Sequence, residues 1–150
     1  DELSQCILSY HNWLKVDGLW DHLPNYQKFL TDKEHWQIII NIWSMAEHNS
    51  LDHNREKWDE IFKIRNPIKY FKKNIKPTFF AYRAGSDDGY SWSLSKKIAN
   101  EFKFRYSKNN PLYSMHINEE FKVHKKLIKY EQVLFYNNTR REKEIVIIQS

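Results

Sequence analysis

Apolar residues in the first part of the chain recur at the spacing of helices. The first stripe has four members that lie three or four residues apart: Leu3, Ile7, Tyr10 and Leu14. This spacing predicts an amphipathic helix. The segment that follows contains Gly18 and Pro24, two residue types that interrupt helices, and we expect a loop there.

Two further helices are predicted before residue 67. The segment TDKE at 31–34 has the pattern of a capping box, in which Thr31 and Glu34 satisfy the first free N–H groups of a helix. The apolar stripe behind it consists of Trp36, Ile39, Ile40 and Trp43. Another helix is expected from about Asn54, and Asn66-Pro67 ends it because a residue before proline avoids helical geometry. Its inner face is predicted to carry Trp58, Ile61 and Phe62.

The pattern changes after Pro77 to short runs that are typical of strands. The predicted strands are TFFAYRA (78–84), GYSWSL (89–94), LYSMHIN (112–118), EQVLFYN (131–137) and EIVIIQ (144–149). Ser95 can cap a helix that bears Ile98, Ala99 and Phe102, and a helical turn is predicted around Lys125 to Ile128. Helices followed by strands indicate an α+β fold.

The length of 150 residues fits a single domain, with a mostly helical part at 1–76 and a β-rich part at 77–150. No apolar run reaches the roughly 20 residues of a membrane span, so a membrane is not an expected partner. The single cysteine, Cys6, excludes an internal disulfide and suits a cytoplasmic location. Oligomeric state is not indicated.

Charge is unevenly distributed along the chain. Residues 1–62 hold five Lys/Arg and eleven Asp/Glu, a net −6, whereas residues 63–150 hold nineteen and eight, a net +11. The basic part at 63–150 would attract a nucleic acid, a nucleotide cofactor or an acidic partner, or it would dock the acidic first part. The stretch 63–76, with six Lys/Arg and no acid, suits either a phosphate backbone or a solvated face.

Several common site patterns are missing from the sequence. The seven histidines form no pair at zinc-ligand spacing, and we expect no metal. Three glycines are too few for a Gly-rich phosphate loop, and no Gly-x-Ser-x-Gly nucleophile motif occurs.

Three short polar segments remain in the β-rich part. YRAG (82–85) places Arg83 at the end of an apolar strand, and SWSLSKKIANEF (91–102) joins a hydroxyl-bearing strand to a helix. REKEIVIIQS (141–150) carries Glu142 and Glu144 two residues apart, so on a strand both carboxylates would lie on one face. Each segment alone also has an ordinary structural interpretation, such as a salt bridge of Arg83 with either glutamate.

In this order the three segments resemble the arginine–serine–glutamate class of ADP-ribosyltransferases, over about residues 77–150. The resemblance implies a split β-sandwich core that binds NAD. Two positions depart from the pattern of the family, which usually has glycine directly after the arginine and a small hydroxyl residue between the two serines. This chain has Ala84 before Gly85, and Trp92 between the serines, whose side chain is expected to face away from them.

The resemblance also implies roles for individual residues. Glu144 would stabilise the positive charge that develops on the ribose of NAD and hold its 2′-hydroxyl. Ser91 would position the ribose or Glu144, and Arg83 would hold the ribose and the diphosphate by charge-assisted hydrogen bonds. The remaining NAD-binding candidates are the backbone of Ala84, the hydroxyl of Ser93, and the ring of Phe102, for which a place in the core is the alternative.

Glu142 would orient or deprotonate the nucleophile of the acceptor. In this class a glutamate at that position implies transfer to an arginine side chain of a protein. The high content of Lys, Asn and Ile is compatible with a phage or bacterial origin, in which case the acceptor would be a host protein in the host cytoplasm. The alternatives are a catalytically inactive fold that inhibits a protein or nucleic-acid-binding partner, and a transferase that modifies nucleic acid.

Overall fold

The computed structural model describes residues 3, 15–45, 52–101 and 122–148, and the chain divides into two units at residues 70 and 71. The first unit is helical, and the second contains an antiparallel sheet of five strands. This arrangement confirms the α+β class. None of the helices among the described residues combines the length and apolar character that a membrane crossing requires.

Helix α1 spans Lys15–Tyr26, so the loop predicted through Gly18 and Pro24 is wrong. Three apolar side chains at helical spacing are almost fully buried: Val16, Leu19 and Leu23. Their packing outweighs the poor helix propensity of one glycine and one proline, because tertiary burial supplies most of the stability of helices in proteins. The helix predicted around residues 3–14 lies outside the described residues, except that Leu3 is helical and buried.

Helix α2 spans Asp32–Met45, and the predicted capping box is present at its start. The backbone N–H of Thr31 donates to Glu34 Oε1 (3.0 Å), and the backbone N–H of Glu34 donates to Thr31 Oγ1 (3.1 Å). The first of these bonds is the main cause of the lowered pKa of the Glu34 carboxyl. The predicted apolar stripe is buried, as are further positions of the helix: Ile38 and Ile42.

Helix α3 spans Asp52–Lys63, and its predicted inner residues are buried. Trp58 meets Trp43 of α2 edge-on, with ring centroids 5.0 Å apart, and stacks on Phe62 at 5.3 Å. Such aromatic pairs add to the free energy of area burial. The first unit therefore has an aromatic core between α2 and α3.

One buried side chain in this unit stands out, the imidazole of His35 in the first turn of α2. It has no exposed surface, and neither ring nitrogen has a hydrogen-bond partner among the described residues. Burial and the nearby Arg65 guanidinium lower the pKa of His35 to about 4. The imidazole is therefore neutral at physiological pH.

The strands of the second unit are β1 Thr78–Ala84, β2 Ser91–Ser93, β3 Val123–Lys129, β4 Val133–Asn137 and β5 Glu144–Ile147. They lie in the order β3-β1-β2-β5-β4, and every neighbouring pair is antiparallel. Strand β1 has the predicted bounds, whereas β2, β4 and β5 are shorter than the predicted runs. The strand predicted at 112–118 lies outside the described residues.

The helical turn predicted around Lys125 to Ile128 is wrong, because these residues belong to β3. All seven residues of β3 pair with β1, from Thr78 opposite Lys129 to Ala84 opposite Val123. The ladder buries Ile128 completely. Pairing with a strand distant in sequence thus outweighs the local pattern of this lysine-rich segment.

One face of the sheet carries the core of the second unit. Its buried members are Ala81, Trp92, Ile128, Val133, Ile145 and Ile147. After β2, the predicted helix follows as α4, whose described residues are 96–101. Ser95 caps it, since its Oγ accepts from the N–H of Ile98 (3.3 Å), and Ala99 is buried. The opposite face of the sheet carries the candidate site.

Candidate active site

The strand register brings polar residues into one row across three strands. Ser93 of β2 lies opposite Glu144 of β5, and Glu144 lies opposite Asn137 of β4. Directly opposite residues of antiparallel strands share a face, so these three side chains lie on one side of the sheet. Ser91 lies on the same side, two residues before Ser93.

The carboxylate of Glu144 is held by two neutral donors. The hydroxyl of Ser91 donates to Oε2, and the Nδ2 amide of Asn137 donates to Oε1 at 3.3 Å. The side chain of Glu144 is half-buried, and Asn137 is buried. The structure thus brings together Ser91 and Glu144, two of the three residues predicted to be catalytic.

The orientation of the Asn137 amide is fixed by the turn that follows β4. Its oxygen accepts from the backbone N–H of Thr139 (3.2 Å) and from Thr139 Oγ1 (2.6 Å). Because the oxygen is engaged on that side, the NH₂ group points to Glu144. Asn137 was not among the predicted site residues. The sequence could have indicated it, because Asn137 is a polar residue at the end of an apolar strand. It precedes Glu144 by seven positions, a spacing that suits two facing residues on either side of a hairpin turn.

Glu142 lies outside β5, so the prediction that the carboxylates of Glu142 and Glu144 lie on one face of the same strand is wrong. Strand β5 begins at Glu144, and Arg141 and Lys143 have φ angles of +58° and +49°. These left-handed residues reverse the chain, and the N–H of Lys143 donates to Asn138 Oδ1 at 3.0 Å. Glu142 therefore lies in the turn, two residues from Glu144 but outside the ladder.

Ser93 links that turn to β2. Its hydroxyl donates to the carbonyl oxygen of Glu142 (2.8 Å) and accepts from the N–H of Ser95 (3.0 Å). The side chain is only 6% exposed. In this structure Ser93 positions the Glu142 turn and the start of α4, and its predicted contact with NAD stays a prediction.

Arg83 reaches the site from the other side of the sheet. Tyr82 lies opposite Ser93, so the register assigns Arg83 to the face of Trp92. The guanidinium nevertheless contacts the site backbone, since Nη1 donates to the carbonyl oxygen of Ser91 (2.9 Å) and Nε donates to that of Ser86 (2.9 Å). The structure therefore joins Arg83 to Ser91 through the main chain.

The Arg83 side chain occupies the space that a side chain at position 89 would need. A Cβ atom at Gly89 would lie 2.0 Å from Arg83 Cζ and 2.3 Å from Nε. The carbonyl oxygen of Gly89 also accepts from Trp92 Nε1 at 2.9 Å. A residue larger than glycine would therefore displace the guanidinium.

The structure shows where the two departures from the family pattern lie, Trp92 between the serines and Ala84 after Arg83. Trp92 is buried in the core face and points away from Ser91 and Ser93, which confirms the prediction for it. Ala84 is the last residue of β1, opposite Val123. Gly85 follows with φ +101°, a conformation that favours glycine, and its N–H donates to the carbonyl oxygen of Lys122 at 3.2 Å. Phe102 lies outside the described residues.

The arrangement suits chemistry that needs a fixed negative charge. A carboxylate held by two neutral donors can face a cation or accept a hydroxyl proton without first reorganising. Within the described residues, His, Cys, Asp and Glu side chains form no group of three or more suited to a metal ion. Searches against protein-family models, curated proteins and solved structures find no match to this chain.

Proposed function

We propose that this chain is an NAD-dependent mono-ADP-ribosyltransferase whose second unit has an ADP-ribosyltransferase-like split β-sandwich core. The observation that carries the proposal is the carboxylate of Glu144, held by the Ser91 hydroxyl and the Asn137 amide at the start of β5. Ser91 and Glu144 are two of the three residues in the motif that the sequence resembles. Their direct contact across β2 and β5 supports reading the motif as a site.

The proposed reaction begins with cleavage of the bond between nicotinamide nitrogen and ribose C1′ of NAD. The bonding electron pair leaves with nicotinamide, and positive charge spreads over C1′ and the ring oxygen. The Glu144 carboxylate stabilises that charge and accepts a hydrogen bond from the 2′-hydroxyl. Ser91 positions the carboxylate. Arg83, whose guanidinium donates to the carbonyl oxygen of Ser91 from the other face of the sheet, is the proposed partner of the diphosphate of NAD.

The proposed acceptor is an arginine side chain of a protein. A guanidinium is charged and a poor nucleophile, so it needs a base to remove a proton as the new bond to C1′ forms. Glu142 takes this role from the turn before β5, which Ser93 fixes through the Glu142 carbonyl oxygen. Support for this acceptor comes from the sequence resemblance and from the closeness of Glu142 to Glu144 along the chain.

The test uses pure protein, NAD labelled on the adenosine side, and a cell extract. The wild-type chain should release nicotinamide and label a protein band that protease removes and nucleases leave intact. Glu144→Gln should abolish both, since the charge on the ribose is then unopposed, and Glu142→Gln should lose labelling while it retains slow nicotinamide release. Glu101→Gln, an exposed position on α4, is the matched control and should behave as wild type.

Two results would contradict the proposed transferase activity, and a third would change its acceptor. Equal nicotinamide release by wild type and folded Glu144→Gln would remove Glu144 from the chemistry. No release and no label with folded wild-type protein would favour the alternative of an inactive fold that acts by binding. Label sensitive to nuclease but not to protease would replace the arginine acceptor by a nucleic acid.

A further inference from the structure

Strands β1 and β3 expose two large apolar side chains on the face that carries Glu144. Phe80 is 50% exposed and Leu127 is 54% exposed, and the two lie directly opposite each other in the ladder. Phe80 is two residues from Tyr82, which lies opposite Ser93, so both apolar residues are on the site face. Single exposed apolar side chains are common on proteins, whereas neighbouring ones form a patch that can mark a binding surface.

Two lysines flank this pair on the same face. Lys125 lies opposite Tyr82 and Lys129 lies opposite Thr78, one pair on each side of Phe80–Leu127 in the ladder. Both lysines are exposed, and Lys125 Nζ is 4.1 Å from the centroid of the Phe80 ring. Neither strand contains an aspartate or glutamate. The four side chains, Phe80, Lys125, Leu127 and Lys129, form what we call the β1–β3 surface.

We propose that the β1–β3 surface binds single-stranded nucleic acid. An exposed aromatic ring offers a stacking partner to any unpaired base, and the two ammonium groups offer partners to the phosphates on either side. Strand geometry separates Lys125 and Lys129 by about 13 Å, with Phe80 opposite the midpoint. A base that stacks on Phe80 would take the place of the Lys125 ammonium over the ring. The two ammonium groups would then lie on either side of the base along the backbone.

The chemistry of the surface favours a single strand over other polyanions or apolar partners. Bases in a duplex are already stacked and cannot lie on Phe80, so a duplex would use only the lysines. A purely apolar protein partner would cover two exposed ammonium groups without compensating their charge, which costs free energy. Single-stranded nucleic acid combines planar rings with regularly spaced negative charge and satisfies both halves of the surface.

This inference is independent of NAD turnover, because it uses residues that have no role in the proposed reaction. The surface and Glu144 nevertheless share one face of the sheet. A bound strand would therefore hold the protein with the candidate site turned towards the nucleic acid and whatever is bound to it.

The experiment measures fluorescence polarisation of labelled oligothymidylate and oligouridylate of about 12 nucleotides with the full chain. Phe80→Ala should weaken binding roughly tenfold through loss of stacking, whereas Phe80→Trp should restore it. The affinity of wild type should fall about sevenfold between 50 and 200 mM salt, as expected when two lysines neutralise two phosphates of a single strand. Lys125→Glu/Lys129→Glu should weaken binding and flatten this salt dependence.

The matched control is Lys96→Glu/Lys97→Glu, which makes the same charge change at two exposed positions of α4. Equal losses in the two double variants would show that only net charge attracts the strand, and would overturn the proposal. So would Phe80→Ala binding as wild type, or duplex competing as well as single strand. Glu144→Gln should bind normally, which separates this result from failure of the NAD chemistry, and circular dichroism of each variant checks folding.

Discussion

The orientation of the Glu144 carboxylate depends on hydrogen bonds from neighbouring strands as well as on the position of Glu144 in β5. Ser91 and Asn137 approach its two oxygens from the strands on either side of β5. Both donors are neutral, so they orient the carboxylate without adding an opposing charge. A carboxylate held in this way is already oriented before any ligand binds, which is what the proposed transition state needs.

The position of the Arg83 side chain depends on the absence of a side chain at Gly89. Gly89→Ala should move the guanidinium, because the new Cβ would lie 2.0 Å from Arg83 Cζ, and its bonds to Ser86 and Ser91 would break. We expect a loss of about 1–2 kcal/mol in the free energy of unfolding, since hydrogen bonds of charged groups are worth this much when partly exposed. Urea denaturation measures it.

The double-mutant cycle with Arg83→Ala isolates the cause. Once the guanidinium is absent, Gly89→Ala should cost almost nothing, so the interaction energy of the cycle should equal nearly the whole effect of the single change. Additive losses would show that Gly89 is needed for its own backbone and not for Arg83.

At the level of elements, local signals identified most helices and strands correctly. The capping box at Thr31 marks a helix start by its own residues. The apolar runs of β4 and β5 are short and rich in β-branched or aromatic residues, which favours strands over helices. Two errors arose where distant contacts dominate. Burial of Leu19 and Leu23 makes α1 helical despite Pro24, and pairing with β1 makes β3 a strand despite its lysines.

The distinction between local signals and distant contacts also explains which parts of the candidate site were predicted. The three motif segments are visible in the sequence. The contact of Ser91 with Glu144 is one of the two roles that the resemblance implies for Ser91. The role of Asn137 and the turn at Glu142 depend on the β4–β5 register and on two left-handed residues, Arg141 and Lys143. Neither residue type is a usual choice for positive φ, so the sequence gives little warning of the reversal.

The cap of α2 allows a test at the level of one element. Thr31→Ala should lower the free energy of unfolding by about 1 kcal/mol, because the N–H of Glu34 loses its partner at Thr31 Oγ1. Thr31→Ser keeps the hydroxyl and should cost much less. Chemical denaturation followed by tryptophan fluorescence measures both, and equal losses for alanine and serine would show that the methyl group, not the cap, is responsible.

At the level of the whole molecule, the buried His35 makes the stability of the first unit depend on pH. His35 is neutral in the folded first unit, with its pKa lowered to about 4 from an ordinary value of 6.5, chiefly by burial. Between these two pH values the unfolded chain binds a proton that the folded unit does not. The stability from the neutral imidazole is therefore complete above pH 6.5 and is lost as pH falls towards 4.

The first unit should lose about 3 kcal/mol of unfolding free energy over that pH range, from the size of the shift. Five of the six tryptophans lie in the first 58 residues, so tryptophan fluorescence reports mainly on this unit. Urea titrations at several pH values measure the slope, and His35→Leu should flatten it. A slope unchanged in His35→Leu would assign the acid sensitivity to other groups.

The β4–β5 hairpin also has a consequence for the order in which the chain folds. Asn137 and Glu144 are seven residues apart, whereas the paired residues of β1 and β3 are 39 to 51 apart. Closing the shorter loop saves roughly 1.6 kcal/mol of chain entropy, and hairpins form within microseconds. We therefore expect Glu144 to meet Asn137 early in folding, and Ser91 to reach Glu144 only when β2 pairs with the β4–β5 hairpin.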